Sequence, residues 1–360
     1  MECGKRADPS KDGLAGMSVV QLREKVQTLY PFIANPKSLS RKVLCDLINK
    51  DCASLGGLIN KQNSCYLDST LIALFHNMSP YFITNVFEKK LDYNSNQKLQ
   101  AIAEAIQQSL HMVFTSVING KCGALSRLRK GFQAFDHYYS RTLFRTEHLD
   151  WEHAQLEPAD VVKILIRMFQ IPNDCKYKFE SYGYAKRKKY LVTSEIRETN
   201  IADIIISADD IYSKNSYDMK SELLPQHKTR ATFDADNLWK PSENAAYNKQ
   251  QIIKTYLKAP MLIIQVARVF AGKKIKTAVV PILNIKLKEN TKKLYLTSII
   301  CHHGSNVNHG HYTCYIVCKN DWYHYDDIGF QKMKLIGDVQ TLFKHNDNFV
   351  LRNAVNFIYI

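Results

Sequence analysis

The sequence predicts an α+β fold from the order in which two kinds of pattern occur. Apolar residues recur at helical spacing through the first half, and β-branched and aromatic runs accumulate after about position 174. Residues 1–16 are polar and glycine-containing, the composition of a disordered leader. Ser18 with Gln21 forms a capping box for a helix over Val19–Tyr30, which Pro31 stops. A second helix, about Ser38–Asn49, carries Leu39, Val43, Leu44 and Ile48 on one face, so residues 17–55 read as an N-terminal helical module. Cys65 opens a buried amphipathic helix, with Leu67, Leu71, Leu74, Phe75 and Met78 at helical spacing. Gln97–Val117 repeats apolar residues every three or four positions, and Pro158 at a first turn opens Ala159–Phe169. Strands follow near 176–184, 188–193, 261–269, 278–287, 293–302, 311–318 and 347–360. Between them, residues 194–250 are rich in Asp, Ser and Asn and read as an insertion that is mobile in part.

Composition is that of a soluble globular protein, 45% hydrophobic and 23% charged. No apolar run reaches the roughly 18 residues of a membrane span. The first residues, MECGKRADPSKDG, lack the apolar centre of a secretory signal. Nine cysteines without a paired pattern argue for a reducing, cytoplasmic or nuclear setting in which Cys65 stays a free thiol. The formal charge of +15 leaves nucleic acid open as a partner, and the N-terminal helix pair is faintly similar to small SAP-like nucleic-acid modules. A lysine-rich soluble surface and a helical brace are the plainer readings. The densest basic run, Lys186–Lys189, reads as a hairpin turn or a nuclear localisation patch.

Two separated stretches carry the chemistry: GLINKQNSCYLDS around Cys65 and HHGSNVNHGHYTCYIVCKNDWYHYDD around His311. Thiol catalysis needs a thiolate, an imidazole that takes and returns its proton, and a group that fixes the imidazole's tautomer. At a helix N-terminus, the Cys65 sulfur gains a field that stabilises negative charge. His311 begins a strand, Lys319–Asp321 turns the chain, and the return strand from Trp322 ends at Asp326 and Asp327. That hairpin places Asp326 to orient His311, with Asp327 as the alternative or supporting third member. Asn60 offers a side-chain amide for an oxyanion, or is simply a turn residue.

In these residues the chain resembles the ubiquitin-specific proteases. Their cysteine box, N-x-G-N-T-C-Y-L-N-S, is met by Asn60 through Ser69. Their histidine box is met by His302, Gly304, Gly310–Tyr312, Tyr315, Trp322, Tyr323, Asp326 and Asp327. QLEPADVV at 155–162, the apolar run at 259–270 and NAVNFIYI at 353–360 echo further family elements in order. The wording around Cys65 is closest to the cylindromatosis-type members.

The resemblance covers the chain from about Gly56 to its end and implies a papain-like cysteine protease fold. In that fold a helical, thumb-like half packs on an antiparallel β palm. It also implies a cysteine-dependent deubiquitinase acting on ubiquitin or polyubiquitin conjugates through an acyl-enzyme thioester. Glu157 and Asp160 match acids that hold the basic tail of ubiquitin, although helix capping explains them equally. Gly310 would let a diglycine backbone approach. Tyr312 and Trp322 line that channel or belong to the core.

Departures from the family pattern define the alternatives. Gln62 stands at a usual glycine, which strains the chain if a positive φ is needed there. Ile72 replaces a common Gln, and Asp68 a common Asn. The family's two C-x2-C pairs are missing, so the zinc ribbon is expected to be absent. Cys314 and Cys318 lie about 13 Å apart along a strand, too far to share a metal. His302, His303, His309 and His311 lack companion thiolates or carboxylates in a ligating pattern, so neither a metal nor any other cofactor is expected. A noncatalytic ubiquitin-binding pseudoenzyme, a protease for a ubiquitin-like modifier and a nucleic-acid-associated protein remain as other readings. Compact length and the missing ribbon also suit a viral or otherwise divergent enzyme.

Overall fold

The computed structural model describes residues 14, 16–29, 37, 39–49, 55–60, 63–76, 79–94, 96–124, 126–142, 149–151, 154, 156–185, 188–223, 231–233, 249–304, 310–329, 331–344 and 348–360. The chain forms two compact units. The first comprises residues 1–171, 297–303 and 311–350, and the second residues 172–296, 304–310 and 351–360.

In the first unit, helices Val19–Leu29 and Arg41–Asn49 occur where capping and periodicity predict them. The Ser18 and Gln21 capping box is made in both directions, at 2.8 and 3.2 Å. The expected leader lies outside the described residues except for Leu14 and Gly16, whose neighbourhood Arg41 holds by donating to the Leu14 and Met17 carbonyls.

Helix Cys65–Phe75 is buried as expected, and the burial takes in every one of its residues; Met78 lies outside the described residues. Asp68, Ser69 and Thr70 are buried polar groups that bond inside the protein. Ser69 Oγ donates to the Tyr312 carbonyl at 2.9 Å, and Thr70 Oγ1 donates to the Tyr66 carbonyl at 2.6 Å. His76 bridges to the Val317 carbonyl at 3.1 Å, and Ser298 Oγ donates to the Ala73 carbonyl at 2.6 Å. A buried helix can be polar only where neighbouring strands supply partners, and here they do.

At its C-terminal end Phe75 anchors an aromatic cluster, with Phe82, Phe87 and Phe114 rings at 5.0, 5.2 and 5.2 Å. Phe114 comes from the long helix Gln97–Ile118, whose buried stripe is Leu99, Ala103, Ile106, Leu110, Phe114 and Val117. That 3- and 4-residue recurrence is the one read from the sequence.

Strand His311–Cys318 pairs antiparallel with Leu294–His303 on one side, His303 facing His311, and with Asp321–Tyr325 on the other. Lys319 takes a φ of 57° in the tight connection, and Met333–Gly337 extends the sheet. Gly56 marks a close approach, since a Cβ there would collide with the Lys121 carbonyl.

The second unit contains an antiparallel sheet of Lys188–Thr199, Cys175–Ala185 and Lys249–Lys258. The strand expected at 188–193 therefore runs on to Thr199, into the segment read as an insertion, because every residue from Thr193 to Thr199 has a ladder partner. Of the basic run, Lys188 and Lys189 start this strand, and 186–187 lie outside the described residues.

The remainder of 194–250 is partly ordered into strand Ala202–Ile206 and helix Ala208–Tyr212, while 224–230 and 234–248 lie outside the described residues. Ala202–Ile206 runs parallel to Leu262–Val266, which pairs antiparallel with Ala354–Tyr359. The strand expected over 347–360 thus begins only at Ala354, after a helical turn Phe349–Asn353. The turn is fixed by the buried Arg268, which donates to the Leu351 and Ala354 carbonyls at 2.8 and 2.9 Å. The strand expected over 261–269 stops at Val266 for the same reason, because Arg268 has turned inward. Likewise 278–287 is split into Ala278–Val280 and Asn284–Ile285.

Candidate active site

The first turn of the Cys65 helix, the start of the His311 strand and the end of the return strand meet in the first unit. Asn63 takes a left-handed φ of 54° just before the helix, a conformation that Asn tolerates better than most residues. Gln62, where strain was in question, lies outside the described residues. Cys65 is buried and a free thiol. Among the other described cysteines, Cys122, Cys175, Cys301 and Cys314 are also free, whereas Cys45 and Cys318 are disulfide-bonded. The scattered spacing gave no sign of this bonding.

His311 donates or accepts through Nε2 at 2.8 Å from Asp326 Oδ1, and Asp327 Oδ1 stands farther off, at 3.6 Å. With Nε2 committed to a carboxylate, Nδ1 is the ring nitrogen left for proton exchange. Asp326 accepts a second bond, from the Ile328 N–H at 3.0 Å. Burial works against its charge, but the Ile328 N–H and the His311 ring outweigh that and hold its carboxyl below the usual range. The carboxylate is therefore charged when His311 needs orienting.

Asp327 has a different partner. Its Oδ2 accepts from Asn60 Nδ2 at 2.6 Å, so Asp327 fixes the amide of Asn60 while Asp326 fixes the ring of His311. The backbone leading to Asn60 is pinned too, since Leu58 N–H donates to the hydroxyl of the buried Tyr325 at 3.1 Å. Tyr325 and the role of Asp68 were not read from the sequence. Asp68 was visible only as a departure from the cysteine-box pattern.

The residue after His311 also reaches Cys65, because the Tyr312 N–H points at the Cys65 sulfur. Burial pushes the Cys65 thiol up to about 11, the Tyr312 N–H opposes that, and the Asp327 and Asp68 carboxyls add to it. The field of the helix terminus favours negative charge on this sulfur, and burial opposes it.

The substrate-side residues divide. Tyr312 and Trp322 are both buried, with Tyr312 against His302 at 4.7 Å. Burial first, and then the nearby Glu157, Cys65 and Asp160, raise the Tyr312 phenol, which places both acids beside the site. Glu157 is exposed at the N-cap of helix Pro158–Met168, and Asp160 accepts the Glu157 N–H at 3.4 Å and pairs with Lys163. The capping role weighed from the sequence is thus present alongside any other. Gly310 is exposed immediately before the strand, and Ser305–His309 lie outside the described residues. His303 Nε2 bonds Thr313 Oγ1 at 2.7 Å. His311, Asp326 and Asp327 bring ligand-type atoms within 4.8 Å of one another, which the imidazole–carboxylate pairing itself requires.

Residues 56–351 match the family model of ubiquitin carboxyl-terminal hydrolase. The chain belongs to that family. Its fold is accordingly the papain-like cysteine protease fold, and it is a thiol-dependent deubiquitinase whose substrates are ubiquitin conjugates. The comparison with curated proteins finds no match. Among the described residues, no helix is long and apolar enough to cross a membrane.

Proposed function

We propose that Cys65 is the nucleophile of this deubiquitinase, His311 its general base and acid, and Asp326 the residue that orients His311. The 2.8 Å contact between His311 Nε2 and Asp326, with the next residue's N–H on the Cys65 sulfur, carries this reading. His311 Nδ1 takes the thiol proton as sulfur attacks the carbonyl carbon of ubiquitin's C-terminal glycine. The oxyanion is held by the second N–H of Asn60 and by backbone amides at the start of the helix. Collapse of the tetrahedral intermediate expels the lysine or α-amine, which takes the proton from His311, and leaves a thioester. Water, deprotonated by His311, then releases ubiquitin and restores the thiol. Because the resting sulfur is protonated, transfer to His311 is part of the attack and not a finished pre-equilibrium.

Glu157 and Asp160 are the candidate carboxylates for the arginine-bearing tail of ubiquitin, supported by their position beside Tyr312. The kinship with cylindromatosis-type members rests on the wording from Asn63 to Thr70. An electrophilic ubiquitin probe tests the core assignment: Cys65→Ala should remove all labelling, and labelling that persists would reject Cys65. A panel of linkage-defined chains and ubiquitin-like modifiers run with the same protein tests the kinship and the choice of modifier.

A further inference from the structure

Two carboxyl groups lie buried against each other beneath the proposed nucleophile. Asp68 has no exposed surface and Asp327 is 1% exposed. They come from separate elements, Asp68 from the first turn of the Cys65 helix and Asp327 from the end of the histidine hairpin, and their side chains are within hydrogen-bonding reach. Each has one oxygen accounted for: Asp68 Oδ2 accepts from Ser64 Oγ at 2.8 Å, and Asp327 Oδ2 accepts from Asn60 Nδ2 at 2.6 Å. The other oxygen of each, Asp68 Oδ1 and Asp327 Oδ1, meets no hydrogen-bond donor. Two adjoining buried carboxylates, each with an unsatisfied oxygen, are an unfavourable arrangement. One proton between them satisfies both.

We propose that Asp68 is a neutral carboxylic acid that donates its proton to Asp327, and that this bridged pair holds Asn60 in place for the oxyanion. The proposal rests on the assignment of Cys65 and Asn60 above. Asp68 is then a positioning residue: it touches no reacting atom and acts through Asp327 and Asn60. No proton is lost or gained in turnover, because the bridging proton stays within the pair.

The surroundings favour one proton over none. Burial, and then the adjoining Asp327, hold the Asp68 carboxyl well above the usual range. The groups that face the pair are Ser64 at the N-cap and Cys65 and Tyr66 on the first turn of the helix, Cys314 and Tyr325 on the hairpin, and Arg129 on helix Ser126–Thr142, the cation that opposes the shift. Asp327 also looks toward His311 at 3.6 Å. A second negative charge here would repel the thiolate that forms on Cys65, so the bridging proton also keeps the nucleophile's environment at one fewer charge.

Asp68→Asn separates this from a structural role, because an amide keeps the size and supplies a donor that does not titrate. The full-length protein should show, at neutral pH, the infrared C=O stretch of a protonated carboxyl, shifted in D2O and missing from Asp68→Asn. Turnover of a fluorogenic ubiquitin C-terminal amide should fall at alkaline pH in the wild type as the bridge is lost, and Asp68→Asn should lack that limb while keeping kcat near the optimum. Asp68→Ala should lose kcat on the order of tenfold or more with KM unchanged, part of the hundredfold cost of a lost oxyanion donor. Should Asp68→Ala fail to fold, the amide variant decides alone. A spectrum without the band, or superimposed pH profiles of wild type and Asp68→Asn, overturns the proposal. Labelling by the ubiquitin probe in Cys65→Ala would instead overturn the assignment beneath it.

Discussion

Asn60 donates to Asp327 at 2.6 Å, across 267 residues of sequence. That bond gives the two adjacent aspartates separate tasks, one on the amide and one on the imidazole.

Substituting them should have separable effects. Asp326→Asn leaves the ring without a carboxylate and favours the wrong tautomer, so kcat should drop by about a hundredfold to ten-thousandfold. Asp327→Ala frees Asn60 and should cost on the order of a hundredfold. Combining Asp327→Ala with Asn60→Ala should add little further loss, because both changes remove one device. A fully multiplicative double mutant, measured by kcat/KM, would show that the two do not act together.

The buried thiol sets the response of the free enzyme to pH. A thiol is reactive only as thiolate, and burial raises the pH at which Cys65 loses its proton, to about 11. Alkylation of Cys65 by iodoacetamide should therefore keep accelerating well above the point, about pH 8.5, at which an ordinary thiol levels off. A plateau at or below that point would mean that His311 already holds the proton at rest.

Removing charge beside Tyr312 should affect ubiquitin and not the thiol. Glu157→Gln should raise KM for the fluorogenic ubiquitin amide on the order of tenfold, equivalent to about 1.4 kcal/mol of tail binding. The iodoacetamide rate of Cys65 should stay as in the wild type. An unchanged KM would leave Glu157 as a helix cap alone.

At the far end of the Cys65 helix, Phe75 is fully buried among Phe82, Phe87 and Phe114. Phe75→Ala should destabilise the fold by about 3–5 kcal/mol. Chemical denaturation followed by tryptophan fluorescence measures this directly, and a loss below about 1 kcal/mol would mean that the cluster closes over the cavity.

The long helix Gln97–Ile118 and the hairpin around Lys319 were legible because each rests on local periodicity: a 3.6-residue stripe for one, strand alternation around a short turn for the other. The Cys65 helix and its burial were legible, but not the burial of its polar residues. Ser69 and Thr70 look solvent-facing in any sequence pattern, and only the strand that brings the Tyr312 carbonyl to Ser69 makes them interior. The end of the chain failed for a similar reason. Residues 349–353 are apolar enough for a strand, but the guanidinium of Arg268, more than 80 residues earlier, captures the Leu351 carbonyl there and that of Ala354 just after.

The sequence by itself determined the residue types of the site and the order of helices and strands that carries them, because spacing and propensity are local. Tertiary structure decided which aspartate faces His311 and which faces Asn60. It also decided that burial raises the Cys65 thiol and that Asp68 lies against Asp327. Distances, desolvation and shared protons depend on groups far apart in the chain, so they exist only once folding has brought those groups together.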